Sequence, residues 1–263
     1  MVQTTESATG SIRTVAEFYD ALASDYDSMT GYETRFSREK PLFRSLVERF
    51  GIKRAVDAGC GSGFHSLLLA QLGVKVAAVD VSAEMLRRLR KHAREFGVQI
   101  RALQCRFQEM RKSIPDQHDT LFCLGNSLTH TLRTDGLRAT FRSFASVLRP
   151  GGILLLQLLN YERILEGRDR IQSFKESGGK TFVRFYDYDD KGIIFNILTL
   201  ERSEGRVQQR VESVRLRPWL RSEIVAALEG SGFVGCKSFG GISLERFVPS
   251  TSKDLVVLAR RAE

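Results

Sequence analysis

Cysteine is scarce in this chain: Cys60, Cys105, Cys123 and Cys236 are the only four in 263 residues. None forms a C-x-x-C pair and none falls into zinc-type spacing. A disulfide framework and a metal centre are therefore not expected, and buried reduced thiols in a reducing compartment are. Long hydrophobic runs are also missing. The longest, Ile153–Leu159, is interrupted by Gln157. It has the length of a buried strand and falls far short of the ~20 residues that span a bilayer. The segment Met1–Ser11 is polar and has no apolar centre, so no secretory signal is expected there. Residues 1–12 read as a disordered tail, and the protein as cytoplasmic with no membrane partner. Internal repeats and low-complexity segments are absent.

Acidic residues are outnumbered, with Asp+Glu at 31 against Lys+Arg at 40, for a net charge of +9. Such a balance suits a nucleic-acid partner, an anionic ligand, or nothing specific. The positive charges are scattered, however. The densest run, Arg87-Arg88-Leu89-Arg90-Lys91-His92-Ala93-Arg94, lies on an expected helix and reads as a solvated face. Hydrophobic residues make up 42% of the chain. At this length, folding buries roughly 70–75% of the unfolded surface, enough for a core without staples.

The hydrophobic pattern predicts helices around 13–28 and 36–50, then strands and helices in alternation. Strands are expected at Arg54–Asp57, Val74–Asp80, Val98–Leu103, His118–Leu124 and Ile153–Leu159. Helices are expected at Phe64–Leu72, Ala83–Phe96 (capped by Ser82 and ended by Gly97) and Asp135–Leu148, the last stopped by Pro150-Gly151-Gly152. Between 180 and 217 the rhythm changes to three strand-like runs, Thr181–Tyr188, Ile193–Glu201 and Val207–Arg217, an antiparallel meander. A helix at 221–230 and strands at 233–239 and Asp254–Arg260 close the chain. The implied fold is α/β: a Rossmann-like, mostly parallel seven-stranded sheet with helices on both faces, plus an inserted meander. The expected division is a core over 13–160 with N-terminal lid helices, a meander cap over 161–218, and the end of the core over 219–263. Lying beyond the fifth strand, the insert is placed to cap the carboxyl ends of the strands, where such sheets bind ligands.

The informative stretch is Val56-Asp57-Ala58-Gly59-Cys60-Gly61-Ser62-Gly63-Phe64-His65, between the first strand and its helix. Gly59, Gly61 and Gly63 permit a tight turn and close approach of a ligand to the backbone. The helix behind them aims its amides at that ligand, a setting that suits a carboxylate. A dinucleotide fingerprint needs G-x-G-x-x-G, and counting from Gly59 the sixth residue is Phe64, so that pattern fails. Asp80 closes the second strand, where an acid can accept two hydrogen bonds from a ribose diol.

The D-x-G-x-G-x-G spacing resembles motif I of class I methyltransferases, whose cofactor is S-adenosylmethionine. Leu124-Gly125-Asn126-Ser127-Leu128-Thr129-His130, Asn160-Tyr161-Glu162-Arg163-Ile164-Leu165 and the late meander extend the likeness over about residues 14–262. The resemblance is to glycine/sarcosine N-methyltransferases and related small-molecule methyltransferases. It implies cofactor contacts from Asp57, Gly59, Cys60, Gly61, Gly63, Asp80, Val81, Phe107 and the backbone of Leu124. Met85 fits either an adenine contact or an ordinary core residue. Arg35 falls where the family grips the cofactor carboxylate, or is a helix-flanking arginine. Tyr26 resembles the aromatic residue of the N-terminal lid, and Asn126 the asparagine that faces the substrate. His130 is a polar wall, a proton acceptor, or a packing residue at a helix start. Two positions depart from the family. Leu159 stands where glycine-binding relatives carry an arginine for the substrate carboxylate. Arg106 stands where many carry an Asp or Asn near the adenine amine, leaving Gln108 or a backbone carbonyl to serve.

The expected function is methyl transfer to a small molecule, an amine above all, since a neutral amine needs no dedicated base. Alternatives are methylation of RNA or protein, prompted by the net charge, and a non-catalytic cofactor-binding interaction protein. Against RNA stand the lack of an RNA-binding module and of an Asn/Asp-Pro-Pro-aromatic motif after the fourth strand. A homo-oligomer remains compatible with the meander.

Overall fold

The computed structural model describes residues 11–203 and 206–263. Three helices open the described part of the chain: α1 (Val15–Leu22), α2 (Tyr26–Thr30) and α3 (Tyr32–Phe50). The helix expected over 13–28 is thus two. Thr14 caps α1 in a capping box with Glu17, so helix begins only at Val15. Arg13 before it is extended and bridges to Val214. Gly31, at φ +69°, ends α2 and starts α3 four residues earlier than the pattern at 36 suggested. The tail expected over 1–12 falls outside the described residues except for Ser11 and Ile12.

The alternating part follows as β1 (Arg54–Ala58), α4 (Phe64–Gln71), β2 (Lys75–Asp80), α5 (Ala83–Glu95), β3 (Ile100–Gln104), α6 (Met110–Ser113), β4 (His118–Cys123), α7 (Thr134–Val147) and β5 (Leu148–Leu159). After α8 (Tyr161–Gly167) come β6 (Ile171–Ser177), β7 (Lys180–Asp189), β8 (Gly192–Ser203) and β9 (Arg206–Leu216), then α9 (Arg221–Glu229), β10 (Phe233–Phe239) and β11 (Asp254–Arg261). The main sheet has seven strands in the order β10-β11-β5-β4-β1-β2-β3. Strands β5 to β3 run parallel, and the β10–β11 hairpin joins antiparallel to β5.

Burial on both faces explains the near-continuous apolar runs. Along β5, Leu154 and Leu156 pack with Val56, Leu121, Phe141 and Phe144 on the α7 side. Ile153 and Leu155 point the other way and pack with Ala55, Phe122, Phe43 and Leu67 on the α3–α4 side. Strand β5 starts five residues before the expected Ile153. It takes in Pro150-Gly151-Gly152, where its pairing with β4 shifts register.

The meander is a second sheet of four antiparallel strands, β6-β7-β8-β9, one more than the three expected. Strand β6 is an edge strand whose Gln172, Ser173, Lys175, Glu176 and Ser177 carry no apolar alternation, so pattern alone passed over it. The inner face of this sheet, with Phe182, Tyr186, Ile193, Ile197 and Val214, packs on Phe18 and Leu22 of α1 and Tyr161 of α8. That shared cluster holds β9 and the N-terminal helices over the carboxyl ends of the parallel strands. All four cysteines are free.

Candidate active site

Strand β1 ends at Ala58 and the chain turns sharply. The amides of Gly59 and Cys60 both donate to the carbonyl of Val79, at 2.8 and 3.0 Å. Gly59, Gly61 and Gly63 have φ of +76°, +54° and +93°, conformations that strain any L side chain. The three serve different needs. A Cβ on Gly59 would lie 2.6 Å from Ser127, and one on Gly63 2.6 Å from Leu89; a Cβ on Gly61 would project toward the Tyr26 ring at 3.7 Å. Close packing therefore demands the outer two, and the middle one leaves room between loop and lid.

Asp80 stands at the end of β2. The Gly61 amide donates to its Oδ2 at 2.8 Å and the Ser82 amide to its Oδ1 at 2.9 Å. Burial pushes its carboxyl up to about 6 in spite of these bonds. Each oxygen keeps a further lone pair for a ligand hydroxyl.

Loop and acid open into a cleft of about 900 Å³. Of the residues expected at the site, Tyr26, Arg35, Gly59, Cys60, Gly61, Asp80, Val81, Phe107, Leu124 and His130 line it. Arg35 reaches the wall with its guanidinium fork on Glu39, at 2.8 and 3.2 Å, and its Cζ 4.1 Å above the Phe64 ring. Four expected residues are absent from the wall. Asp57 is buried beneath the loop, where the Ser66 hydroxyl donates to it at 2.6 Å. It ties β1 to α4 and shapes the loop rather than meeting a ligand; burial holds its carboxyl above the usual range. Gly63 faces Leu89. Met85 is fully buried in α5. The Asn126 amide is committed within the protein. Its Nδ2 donates to Tyr161 Oη at 2.9 Å and its Oδ1 accepts from the Leu159 amide at 3.1 Å. Asn126 thereby pins β5 and α8 at the cleft's edge, in a left-handed conformation with φ +69°.

The opposite wall leaves little mark in the sequence. Tyr19 of α1 meets His130 with its Oη 3.0 Å from Nε2, and the two rings stand edge to face at 5.4 Å. Burial pushes the imidazole down to about 4, so it is neutral at neutral pH. Its Nδ1 is buried with no hydrogen-bond partner among the described residues. Burial also raises the Tyr19 phenol well above its ordinary value. His65 and Ser127 line the floor as well, and Val214 of β9 with Ile12 and Val15 lines the roof. His65 and Ser127 adjoin the glycine and asparagine motifs and were findable by adjacency. Tyr19 sits on a helix face where an aromatic residue reads as core.

Three comparisons bear on this cleft. Residues 55–152 match the family model described as a methyltransferase domain. Glycine/sarcosine N-methyltransferase of Halorhodospira halochloris is 33% identical over 163 residues, covering 62% of this chain and 61% of that protein. The protein of the same name from Aphanothece halophytica is 34% identical over 150 residues, 57% of each. The chain therefore spans about three-fifths of the length of these relatives. Among solved structures, an S-adenosylmethionine-dependent methyltransferase from Clostridium acetobutylicum superposes with a TM-score of 0.79 over 93% of this chain and 99% of that one, at 16% identity, a likeness of fold. The fold is that of class I methyltransferases, and residues 55–152 are similar to the methyltransferase-domain family. Among the described residues no helix is long and apolar enough to cross a membrane.

Proposed function

We propose that this chain transfers a methyl group from S-adenosylmethionine to the nitrogen of a small amine. The observation that carries the reading is one continuous cleft, which runs from the glycine loop and Asp80 to the neutral Tyr19–His130 pair. The residues fit the cofactor. The loop's middle glycine leaves open space where any Cβ would approach Tyr26, and Asp80 keeps free lone pairs beside it. Asp80 would take the ribose hydroxyls, and Val81 and Phe107 would flank the base. The amides of the loop, with Arg35, would receive the carboxylate.

Bound there, the cofactor supplies an electrophilic sulfonium methyl group. The chain's own part is to exclude water and to aim the acceptor. Tyr26, Tyr19 and the second sheet, taken as a cap over 161–218, close the cleft from above. Tyr19 and His130 offer a hydroxyl and an imidazole without a charge, which suits an amine that must arrive unprotonated. Alignment of donor and acceptor is worth roughly 7–11 kcal/mol in favourable cases, so no strong base is required. The resemblance places at Leu159 the arginine that would pair with a glycine carboxylate; Leu159 carries no charge and packs against the second-sheet cluster, which argues for an amine other than glycine.

The test is transfer of a tritiated methyl group from S-adenosylmethionine to a panel of amines, with hydroxyl compounds of matching shape alongside. Transfer to amines and loss of it in Tyr19→Phe/His130→Ala support the reading. Transfer only to hydroxyl compounds sinks the N-specific part, and salt-dependent transfer to RNA would favour the macromolecular alternative.

A further inference from the structure

Helix α2 carries the lid residue Tyr26, and the next residue along, Asp27, is held by three donors from two other elements. Ser62 Oγ in the glycine loop donates at 2.7 Å and Arg88 Nη2 on α5 at 2.6 Å, while His92 Nε2 on α5 lies 3.2 Å away. The side chains of Asp27 and His92 are only 17% and 13% exposed, so solvent screens the group poorly. The other imidazole nitrogen, Nδ1, lies 3.0 Å from the carbonyl oxygen of Ser62. Both ring nitrogens of His92 thus face acceptors, a carboxylate and a carbonyl. Only the doubly protonated ring can donate to both.

We infer that Asp27 is a positioning residue for the cofactor: with Ser62, Arg88 and His92 it latches the Tyr26 lid onto the glycine loop, and the latch is tight only while His92 is an imidazolium. The inference rests on the cofactor reading above. The charges around His92 agree. Its pKa is raised, first by the bond to Asp27 and then by the Ser62 carbonyl, against burial and the Arg88 charge. Burial would raise Asp27, but the bonds from His92, Arg88 and Ser62 outweigh it and hold the carboxyl down to about 2. From α3, Tyr32 packs against the imidazole with centroids 4.9 Å apart; burial and the charges of Asp27 and Glu95 raise its phenol, so it stays neutral. As pH rises through the raised His92 pKa, one of the two contacts becomes acceptor against acceptor and the latch slackens. Arg88 keeps Asp27 partly engaged, so the lid loosens without being released.

The experiment follows amide hydrogen exchange of residues 26–30 in the whole, cofactor-free protein, corrected for intrinsic rates, from about pH 6 to about pH 9, a span around a raised imidazole pKa. Calorimetric affinity for S-adenosylmethionine is measured on the same samples. In wild type, protection of 26–30 should fall as pH rises. It should be flat in His92→Gln and low throughout in Asp27→Asn, which should also bind the cofactor about tenfold more weakly, equivalent to one pK unit of coupling. Protection in Asp27→Asn equal to wild type, or a wild-type pH slope in His92→Gln, would overturn the latch. If wild type shows the expected exchange pattern yet binds no S-adenosylmethionine, the latch stands and the cofactor reading falls.

Discussion

The floor and the roof of the cleft are built on opposite principles. The floor is the parallel sheet with its glycine loop, buried on both faces, where positive-φ glycines and a twice-bonded carboxylate leave the backbone no choice. The roof is two short helices and a four-stranded sheet, tied down by charged contacts. Lys180 and Arg210 grip Asp25 at 2.9 and 3.1 Å, and Asp27 grips the loop and α5. A rigid floor suits a cofactor that is the same in every turnover. A roof held by exchangeable polar bonds suits a cover that must lift for the acceptor to enter and the product to leave.

The comparison breaks most directly through stability. Leu156 of β5 is fully buried between β4 and β11 in the main core. Leu156→Ala should lower the unfolding free energy by about 2–5 kcal/mol, from lost transfer energy and the cavity left behind. Equilibrium urea unfolding measures this. A loss under about 1 kcal/mol would mean that the floor relaxes as easily as a surface.

Next in size is the loop. Gly59→Ala forces a Cβ to 2.6 Å from Ser127 at φ +76°. Strain of this kind amounts to about 1–3 kcal/mol. Because the loop lines the cleft and would shift to relieve this strain, S-adenosylmethionine affinity should fall by about ten- to a hundredfold, with far-UV circular dichroism unchanged. Unchanged affinity would detach the loop from the cofactor.

Asp80 gives the floor a pH signature opposite to that of the roof. Its folded pKa, about 6, lies above the usual carboxylate value because it is buried. Below that pH the protonated carboxyl gives up an acceptor, so cofactor affinity should drop as pH falls through about 6. The His92 latch works in the other direction, slackening as pH rises. The raised Asp80 pKa also means that ionisation opposes folding: the unfolded chain releases this proton first, so the group's unfavourable contribution grows between about pH 4 and about pH 6. A flat affinity across that interval in calorimetry would show that the carboxylate does not meet the ligand.

The same contrast separates what the sequence revealed from what it hid. The floor was legible because backbone necessity leaves marks: glycines at fixed spacing, an acid at a strand end, apolar strands covered on both faces. All seven strands of the main sheet fall within a few residues of their expected places, β5 starting earliest because a register shift against β4 admits Pro150-Gly151-Gly152. The roof was legible only in outline. Strand β6 has no apolar alternation, Tyr19 looks like core on a helical wheel, and Asp27 is one acid in a polar segment. The roles of Asp25, Tyr19 and Asp27 depend on partners 155, 111 and 35 residues away in sequence, Lys180, His130 and Ser62, and no local pattern records those. Asn126 and Asp57 show the converse. Their motifs were visible, yet each spends its polar atoms inside the protein, a distinction that only geometry makes.

At the acceptor end a smaller effect is expected. Tyr19→Phe removes one neutral hydrogen bond, ordinarily worth about 0.5–1.5 kcal/mol, and strands the His130 Nε2. The Kd for S-adenosylmethionine should stay within about twofold, while kcat/KM for the proposed amine acceptor falls about five- to tenfold. Equal losses in both would place Tyr19 with the cofactor instead.

The smallest effect belongs to the outer edge of the roof. Phe174 of β6 is 65% exposed, on an edge strand that among the described residues pairs only with β7. An apolar side chain already in water has little burial to lose, so Phe174→Ala should change the unfolding free energy by less than about 0.5 kcal/mol. Set beside Leu156→Ala, it measures the contrast between floor and roof in one experiment, since both residues lie on strands and both are cut back to alanine. A loss of about 2 kcal/mol at Phe174 would mean that the outer face of the second sheet is covered in solution. The roof would then be anchored from outside as firmly as the floor is from within.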